Sequence, residues 1–398
     1  MTDRLYYIDP YCRSFRAVVT GSFDHEGRPA VTLDRTAFYP TSGGQPFDDG
    51  RLGAVQVTET IDADEVIHVI SSPLSAGSTV AGEVNWTRRF DHMQQHTGQH
   101  LLSAAFDRLF ENQTMSFHMG ADGSTIDLAR DASPADIERA VDAANDVVWE
   151  DRQISIRFVS WEEAITLPLR KDPAREGTLR LIEISGFDLS ACGGTHVSRT
   201  GAVGGVVVVA SERHRGGVRL TFVCGGRAVR TLRGYRDAIA GSVRALSVLP
   251  HELPSAVERI QAESRDLHKQ LQELRTELAG YEGRRLAADA ADVAGVRVVV
   301  QTLAGWDAPG LKAVASAIVA AGRVCTVLLS AAPPLSLVVA RSPGVPLDAQ
   351  LLLRQLIARF GGRGGGKPGL AQGGGFSAPP QEIASAVRAL IDAALRNS

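Results

Sequence analysis

The first 85 residues alternate short apolar runs with turn-forming clusters. The runs RAVVTGSF, PAVTLDRT, AVQVTET and EVIHVI are rich in β-branched residues and are separated by glycine, proline and aspartate. Apolar and polar positions that alternate with a period of two place one face of a strand in a core and the other in solvent. This pattern predicts a small antiparallel β-barrel or sandwich.

A change of period marks the next region. From about residue 87 to about residue 110 apolar positions recur at helical spacing, and Asn85 or Thr87 can cap this helix. A second helix is predicted after Pro134, and the strand-like runs ISIRFVS, LRLIEISGF, GGVVVVASER and VRLTFVCG follow it. Residues 90–235 are therefore interpreted as an α+β domain built around a sheet.

A heptad pattern comes next. Apolar residues recur at alternating spacings of three and four, with one polar member, at Val257, Ile260, Ser264, Leu267, Leu271, Leu274, Leu278 and Tyr281. This spacing is typical of a short coiled coil. From about residue 294 strands and helices alternate, which predicts a small α/β domain.

These patterns together predict an α+β multidomain protein with four regions. We expect a small β-barrel domain over residues 1–88, a metal-binding domain over 89–236, a helical coiled-coil linker over 237–292 and an α/β domain over 293–398. The amino terminus lacks a basic segment followed by an apolar run, and Arg323 interrupts the apolar stretch at 311–332. We therefore expect a cytoplasmic protein with no membrane contact.

The cysteines and the charged residues indicate the redox compartment of the protein and where it could contact a nucleic acid. The four cysteines, Cys12, Cys192, Cys224 and Cys325, are widely scattered, which indicates a reducing compartment. The net charge is -3, so any contact with a polyanion must be local. Residues 213–236 hold seven arginines and residues 349–380 hold three arginines and a lysine, in both cases without an acid. These segments are candidate nucleic-acid contacts, and an ordinary solvated surface is the alternative.

Two pairs of potential metal ligands, one of histidines and one of a cysteine and a histidine, suggest a metal site. His92, His96 and His100 are spaced by four on the predicted helix, so two adjacent ones, about 6 Å apart along the axis, can reach one ion. In ACGGTH, Cys192 and His196 are also four apart, and the two glycines between them permit a tight loop. We predict that one helical pair and the loop pair meet at a single site. Ordinary packing is the alternative for either pair alone.

The donor types indicate the metal and its use. Mixed nitrogen and sulfur donors suit a borderline-soft ion such as Zn²⁺, and we expect one per chain. A single cysteine among several histidines favours a site that keeps a position open for water, and therefore catalysis. No glutamate lies between His96 and His100, unlike in HExxH proteases. Hydrolysis of a labile ester is the reaction expected, with the base supplied from elsewhere or by the substrate.

Three motifs carry a resemblance to a known family. HTGQHLLSAAF, SFHMGADGSTIDL and GFDLSACGGTHVSRTGAVG resemble the editing domain of alanyl-tRNA synthetase and of its free-standing relatives, the AlaX-type alanyl-tRNA editing proteins. FYPTSGGQPFDDGRL resembles the small β domain that precedes it in that family. The coiled coil and GGRGGGKPGLAQGGG resemble the C-terminal DHHA1 region of the long AlaX form. We expect no aminoacylation domain, because residues upstream of 35 are too few for one.

The resemblance implies a ligand set and a reaction. It implies that His96, His100, Cys192 and His196 hold zinc, and that His92 does not. It also implies hydrolysis of the ester that joins serine or glycine to alanine tRNA, because a pocket for alanine discriminates poorly against both.

Further residues are candidates for substrate contact. Ser116 falls where the family places a polar side chain near the substrate, and Gln99 and Thr97 flank the predicted ligands. His118 is a candidate second-sphere donor or proton carrier. Structural roles are the alternative for each. Candidate tRNA-binding residues are Arg213, Arg215, Arg219, Arg363 and Lys367.

The glycine-rich stretch at residues 361–367 matches the GxxxxGK pattern of a phosphate loop. Pro368 stands where Mg²⁺ binding needs serine or threonine, and a helix rather than a strand precedes the stretch, so an NTPase is excluded. Its backbone amides could cradle an RNA phosphate, and a flexible loop is the alternative.

Two other functions compete with ester hydrolysis. One is a tRNA-binding module with a purely structural zinc. The other is a phosphoesterase, which the missing DHH motif and aspartate-rich cluster disfavour. The expected partner is tRNA. A second copy of the chain, joined through the coiled coil or the C-terminal domain, is a candidate partner, and a coiled coil that folds back within one chain is the alternative.

Overall fold

A computed structural model describes residues 2–172 and 176–396. The chain forms two compact units, Met1–Ser242 and Val243–Ser398. The finer division at residues 88, 236 and 292 stays a prediction. No helix of the described chain combines the length and the apolar character needed to cross a membrane.

The amino-terminal part of the first unit is a closed barrel. The elements in chain order are β1 (Asp3–Arg4), α1 (Leu5–Ile8), β2 (Ser14–His25), β3 (Arg28–Leu33), β4 (Arg35–Thr36), β5 (Gly50–Leu52), β6 (Val55–Ile61), β7 (Ile67–Ile70) and β8 (Thr79–Val84). Six strands close antiparallel in the order β2-β3-β7-β6-β5-β8, and β1 pairs separately with β4. Val19, Leu33 and Phe38 lie in the barrel core. The predicted small β-barrel is confirmed.

Helix α2 (Trp86–Phe110) follows the barrel directly. Asn85 caps it by accepting a hydrogen bond from the amide of Arg88, as one of the two predicted caps would. Every residue from Gln95 to Phe106 is buried. Since buried polar groups need hydrogen-bond partners, the polar side chains in this stretch must find them within the protein.

A buried ion pair fixes α2 to the barrel. The side chains of Arg89 and Asp48 are both 0% exposed, and Arg89 Nε lies 2.9 Å from Asp48 Oδ2. Arg89 also donates to the carbonyls of Pro10 and Ala37. A buried charge is stable only with such partners, because its desolvation costs several kcal/mol. The pair thereby holds the segment before Asp48 against the helix.

Two antiparallel sheets complete the first unit. The elements are β9 (Thr114–Met119), β10 (Ser124–Leu128), α3 (Pro134–Trp149), β11 (Ile154–Val159), α4 (Trp161–Ala164), β12 (Leu179–Ile184), β13 (Asp188–Ala191), β14 (Val206–His214) and β15 (Gly217–Cys224). One sheet has the order β14-β15-β10-β9 and the other β11-β12-β13. Helices α2 and α3 share a core with them that includes Phe106, Ala144 and Leu220.

Two long helices follow. They are α5 (Gly225–Leu246), in which the division between the two units falls, and α6 (Leu253–Ala288). The seven apolar heptad residues all lie on α6, and each is between 42% and 64% exposed. Pairing of this seam with another helix therefore stays a prediction. Toward its carboxyl end α6 buries Ala279 and Leu286 against the second unit's own core.

The second unit is an α/β domain, as predicted. Its elements are β16 (Ala291–Val293), β17 (Val296–Leu303), α7 (Ala308–Val319), β18 (Val324–Ser330), β19 (Ser336–Arg341), α8 (Ala349–Phe360), β20 (Arg363–Lys367), β21 (Leu370–Gly374) and α9 (Pro380–Arg396). The sheet has the order β16-β17-β18-β19-β21-β20, with β17 and β18 parallel and the other pairs antiparallel.

The glycine-rich stretch forms a hairpin, which corrects the flexible loop raised from sequence, whereas a phosphate contact there stays a prediction. Strand β20 pairs antiparallel with β21, so the stretch is neither a flexible loop nor a set of wholly free amides. A Cβ on Gly364 or on Gly366 would lie 2.4 Å from backbone atoms of β21. The glycines therefore permit a close approach of the two strands.

Candidate metal centre and its cavity

The two predicted residue pairs meet in the first unit. One ligand atom from each of His96, His100, Cys192 and His196 lies within 4.8 Å of the others. The two helical histidines come from α2, and the cysteine and the third histidine follow β13. The three histidines are 2–3% exposed, and Cys192 is half-buried. His92, one turn earlier on α2, is not part of this group.

The Nδ1 atom of each histidine has a partner elsewhere. His96 Nδ1 lies 2.8 Å from Gln45 Oε1, His100 Nδ1 lies 2.9 Å from Asp188 Oδ2, and His196 Nδ1 lies 3.2 Å from Thr97 Oγ1. The Nε2 atoms of His96 and His196 approach Cys192 Sγ at 3.4 and 3.3 Å. An imidazole that donates from Nδ1 keeps its Nε2 lone pair for a metal. The orientation of the three rings thus fits an ion placed beside the sulfur.

Gln45 reaches the site from the barrel domain. Its Oε1 also accepts from the amide of Thr195 at 3.1 Å, and its Nε2 donates to Thr195 Oγ1 at 2.9 Å. The amide side chain is completely buried. Gln45 therefore connects the helical ligand His96 to the loop that carries the other two ligands.

The loop between Cys192 and His196 depends on Gly194 and Arg180. A Cβ on Gly194 would lie 2.1 Å from His96 Cε1, so a side chain there would displace the ring. Arg180 Nη1 donates to the carbonyls of Cys192 and Gly194 at 2.7 and 2.9 Å. These contacts hold the thiol at the helix.

Asp188 belongs to a small buried network. Its two oxygens accept from His100, from Arg170 Nε at 2.8 Å and from Ser190 Oγ at 3.0 and 3.1 Å. Asp188, Ser190 and Cys192 are alternate residues, so the strand β13 and its extension direct them to one face. This alternation was the signal in the sequence from which the role of Asp188 could have been inferred.

The protonation states favour metal binding by thiolate and imidazole. Burial acts to raise the pKa of Cys192, yet the neighbouring His96 and His196 rings hold this pKa well below its usual value. Burial lowers the pKa of His196 to about 3. For His100, burial acts downward, but the hydrogen bond to Asp188 raises the pKa to about 9. The hydrogen bond to Asp188 therefore favours the protonated form of metal-free His100, and a metal ion that binds this ring would displace that proton.

A cavity of about 400 Å³ opens onto the cluster. Its lining includes His96, His100, Cys192, Gln99 and Ser116. Gln99 Nε2 donates to Ser103 Oγ at 2.8 Å, and Ser116 Oγ donates to Asp127 Oδ2 at 2.5 Å. The two candidate substrate residues thus border the same space as the candidate ligands.

Thr97 and His118 are placed differently. Thr97 is completely buried, does not line the cavity, and accepts hydrogen bonds from His196 Nδ1 and from the amide of Val197. These contacts fit a structural role for Thr97, in which its hydroxyl orients the ring of His196. His118 is exposed on β9 and is not among the lining residues.

The arginine-rich segment is partly neutralised by acids distant in sequence. Arg219 forms a two-point ion pair with Asp127, at 2.7 and 3.0 Å. Arg227 is 5% exposed and makes a similar pair with Asp91. Arg215 is exposed in the turn between β14 and β15, and the Arg213 side chain is 91% exposed. The candidates Arg363 and Lys367 are exposed on the edge strand β20.

Comparisons with known proteins agree with this architecture. Residues 179–220 match the family model described as "Threonyl and Alanyl tRNA synthetase second additional domain", and residues 295–396 match the DHHA1 domain. The chain is 32% identical over 397 residues to "Alanyl-tRNA editing protein AlaX-L" of Pyrococcus horikoshii, with 96% of each chain covered.

Alanine–tRNA ligases are also similar. The ligase of Halorubrum lacusprofundi is 35% identical over 392 residues, which cover 94% of this chain and 42% of the ligase. The match to AlaX-L covers 96% of both proteins. The chain therefore belongs to the family of AlaX-L alanyl-tRNA editing proteins.

Proposed function

We propose that the chain is a cytoplasmic, zinc-dependent hydrolase that removes serine, and also glycine, from mischarged alanine tRNA in trans. The observation that carries this proposal is the convergence of three imidazoles and one thiol, of which His96, His100 and Cys192 line a cavity. A closed structural site would have no such opening. The relationship to alanyl-tRNA editing proteins supports an aminoacyl-tRNA ester as the substrate.

In this proposal His96, His100, Cys192 and His196 hold one Zn²⁺. Zinc there would supply Lewis acidity to the ester carbonyl and to the attacking water. Residues of the chain prepare the site: Gln45 and the other Nδ1 partners fix the rings before substrate arrives. Such fixed geometry lowers the barrier because little reorganisation remains during the reaction.

Ser116 and Gln99 are proposed to contact the aminoacyl group. Both line the cavity, and both are polar groups that a serine hydroxyl can bond. A site that bonds this hydroxyl would favour serine over alanine, because an alanyl ester leaves those polar groups unpaired. His118 does not line the cavity at the cluster, so it is proposed to carry a proton to or from the site through an intervening water.

The tRNA body is proposed to contact exposed cations on both units. Arg213 and Arg215 have free guanidinium surface, whereas Arg219 is held by Asp127 and contributes less. On the second unit Arg363 and Lys367 would contact phosphates. Neutralising each phosphate contact should reduce the salt dependence of tRNA binding.

A second copy of the chain is the proposed partner of the α6 seam. Each apolar heptad residue there is more than two-fifths exposed, and heptad seams pair with similar seams. Leu271→Glu should shift the protein toward a monomer in analytical ultracentrifugation. A monomeric wild type would contradict the pairing.

The test of the hydrolase is deacylation of serine-, glycine- and alanine-charged alanine tRNA, with bound zinc measured in the same samples. We expect the wild type to cleave the serine ester and Cys192→Ala to lose both cleavage and zinc. The matched control is Cys12→Ala, since Cys12 is also half-buried in the first unit but does not belong to the cluster. Unchanged cleavage in Cys192→Ala would refute the ligand assignment. Zinc-loaded wild type that binds tRNA and cleaves none of the esters would support a binding module with structural zinc.

A further inference from the structure

A second cavity lies at the amino-terminal end of α2. It has a volume of about 730 Å³, and within the described chain it shares no lining residue with the cavity at the candidate metal centre. All of its lining belongs to the first unit. The proposed hydrolysis leaves this space unused.

One wall of the second cavity is aromatic. Trp86 and Phe90 line it, and their ring centroids are 5.4 Å apart with planes tilted by 33°. Both side chains are half-buried. The Arg13 guanidinium lies 3.8 Å from the centroid of the Trp86 ring, so the cavity is bordered by the part of the ring that Arg13 does not cover. Flat apolar surfaces of this kind bind nucleobases with little regard to sequence.

The charge of the second cavity is positive. Its charged lining residues are Arg88, Arg227 and Arg230 and the carboxylate of Asp91. Arg88 also lies 3.9 Å from Asp49 outside the lining, so the unbalanced charge is that of Arg227 and Arg230 against Asp91. Asp91 is already engaged by Arg227, which leaves the Arg230 side chain 67% exposed and 3.6 Å from the carboxylate. The surplus charge suits an anionic group.

The start of α2 adds to this positive character. The first turn holds no acidic residue, although acids are favoured there. The first amides of a helix have no partner within it, and here the cap Asn85 accepts from Arg88 alone among them. A phosphate beside Arg230 would complement both the amides and the helix dipole.

His92 supplies an independent sign of a ligand. Its side chain lines the cavity and is 4% exposed, yet its Nδ1 has no hydrogen-bond partner among the residues described. Burial, together with the charge of Arg88, lowers the pKa of His92 to about 3, so the ring is neutral. A neutral imidazole offers one donor and one acceptor, as the edge of a base requires.

The two cavities are neighbours along two chain segments. Ser42 and Gly43 line the first cavity and Pro46 lines the second, while Phe117 lines the first and Gly120 the second. Three residues of extended chain span roughly 10 Å. An RNA whose terminal residue enters the first cavity therefore brings its preceding nucleotides within reach of the second.

We propose that the second cavity binds an unpaired nucleotide next to the aminoacylated terminal adenosine. Its base would pack against Trp86 and Phe90 with its edge toward His92, and its phosphate would bind at Arg230 and the start of α2. This inference rests on the proposed function, because it takes the RNA to be the carrier of the ester.

The test measures binding of the RNA tetranucleotide ACCA to the full chain by fluorescence anisotropy at several salt concentrations. Arg230→Ser should weaken binding roughly fivefold and lower the slope of log Kd against log salt by about 0.7. Trp86→Leu should weaken it roughly tenfold, through lost stacking. The matched control is Arg16→Ser, which removes an exposed charge of β2 outside both cavities and outside the arginine-rich segment, and should leave Kd unchanged.

Competition separates a nucleotide site from a simple anion site. Adenosine 5′-monophosphate should displace the labelled RNA at lower concentration than inorganic phosphate, and equal potency would overturn the base contact. Because the Arg230 side chain is 67% exposed, Arg230→Ser should fold even if Trp86→Leu does not. A Kd for Arg230→Ser equal to that of Arg16→Ser would overturn the phosphate contact. Ester cleavage by the wild type tests the proposed function separately, so either proposal can fail alone.

Discussion

Replacement of Gln45 by alanine should weaken zinc binding, although all four candidate ligands remain in place. The side chain makes three hydrogen bonds, to His96 Nδ1 and to the amide and hydroxyl of Thr195, at 2.8 to 3.1 Å. Without them the His96 ring loses its orientation and two buried donors lose their acceptor. Removal of such a partner typically lowers metal affinity roughly 10- to 100-fold, or about 1.4 to 2.7 kcal/mol.

A competitive titration with a chromophoric chelator measures this change. Gln45→Glu keeps an acceptor for both N–H groups and should retain more of the affinity than Gln45→Ala. The control Gln56→Ala removes an exposed amide from β6 and should leave zinc affinity unchanged. If Gln45→Ala bound zinc as tightly as Gln56→Ala, the orienting role of Gln45 would be wrong.

Three further changes test other parts of the fold and site. Burial lowers the pKa of His68 to about 4, below about 6.5 in the unfolded chain, so acid protonates the unfolded chain first. The free energy of unfolding should fall by about 3 kcal/mol between pH 6.5 and pH 4, and His68→Gln should remove this part of the acid loss in urea titrations. Gly194→Ala should abolish zinc binding in the same chelator assay, since its Cβ would overlap the His96 ring. Asp188→Asn should lower the pKa of metal-free His100 from about 9, as followed by NMR, because the charged acceptor is lost.

Control variants are available for the His68 and Gly194 predictions. His251→Gln changes an exposed histidine and should keep the acid dependence of the wild type. Gly193→Ala adds a Cβ 3.7 Å from the nearest atom outside its chain neighbours, so it should retain zinc. Equal zinc loss in the two glycine variants, or an unchanged His100 pKa in Asp188→Asn, would contradict the contacts described.

Sequence patterns predicted the parts of the fold and site that are local. The alternation in the runs that form β2, β3, β6 and β7 was enough to predict a small barrel or sandwich. The spacing of four placed His96 beside His100 on one helix face. Cys192 and His196 were brought into one site by their loop glycines and by resemblance. Each of these features depends on residues that are close together in sequence.

What was missed depends on distant residues. Gln45 is 51 positions from His96, and Asp188 is 88 positions from His100. The segment around Arg219 had no acid in its own sequence, yet Asp127 on the neighbouring strand β10 pairs with it. The alternation of Asp188, Ser190 and Cys192 could have placed Asp188 on the same face as the ligand Cys192. No spacing rule brings Gln45 to His96 or Asp127 to Arg219, because tertiary packing decides which distant side chains meet.

The hydrogen bond between Gln45 and His96 has a consequence for the order of assembly. A nascent or partly unfolded chain in which the barrel has not closed cannot present the glutamine to the ring, so one donor of the cluster remains free to rotate. Tight metal capture is therefore expected to follow barrel closure rather than precede it. The bound ion would then stabilise the first unit only when the barrel and the part that carries the cluster are both folded. Loss of the ion would be an early sign that these two parts have separated.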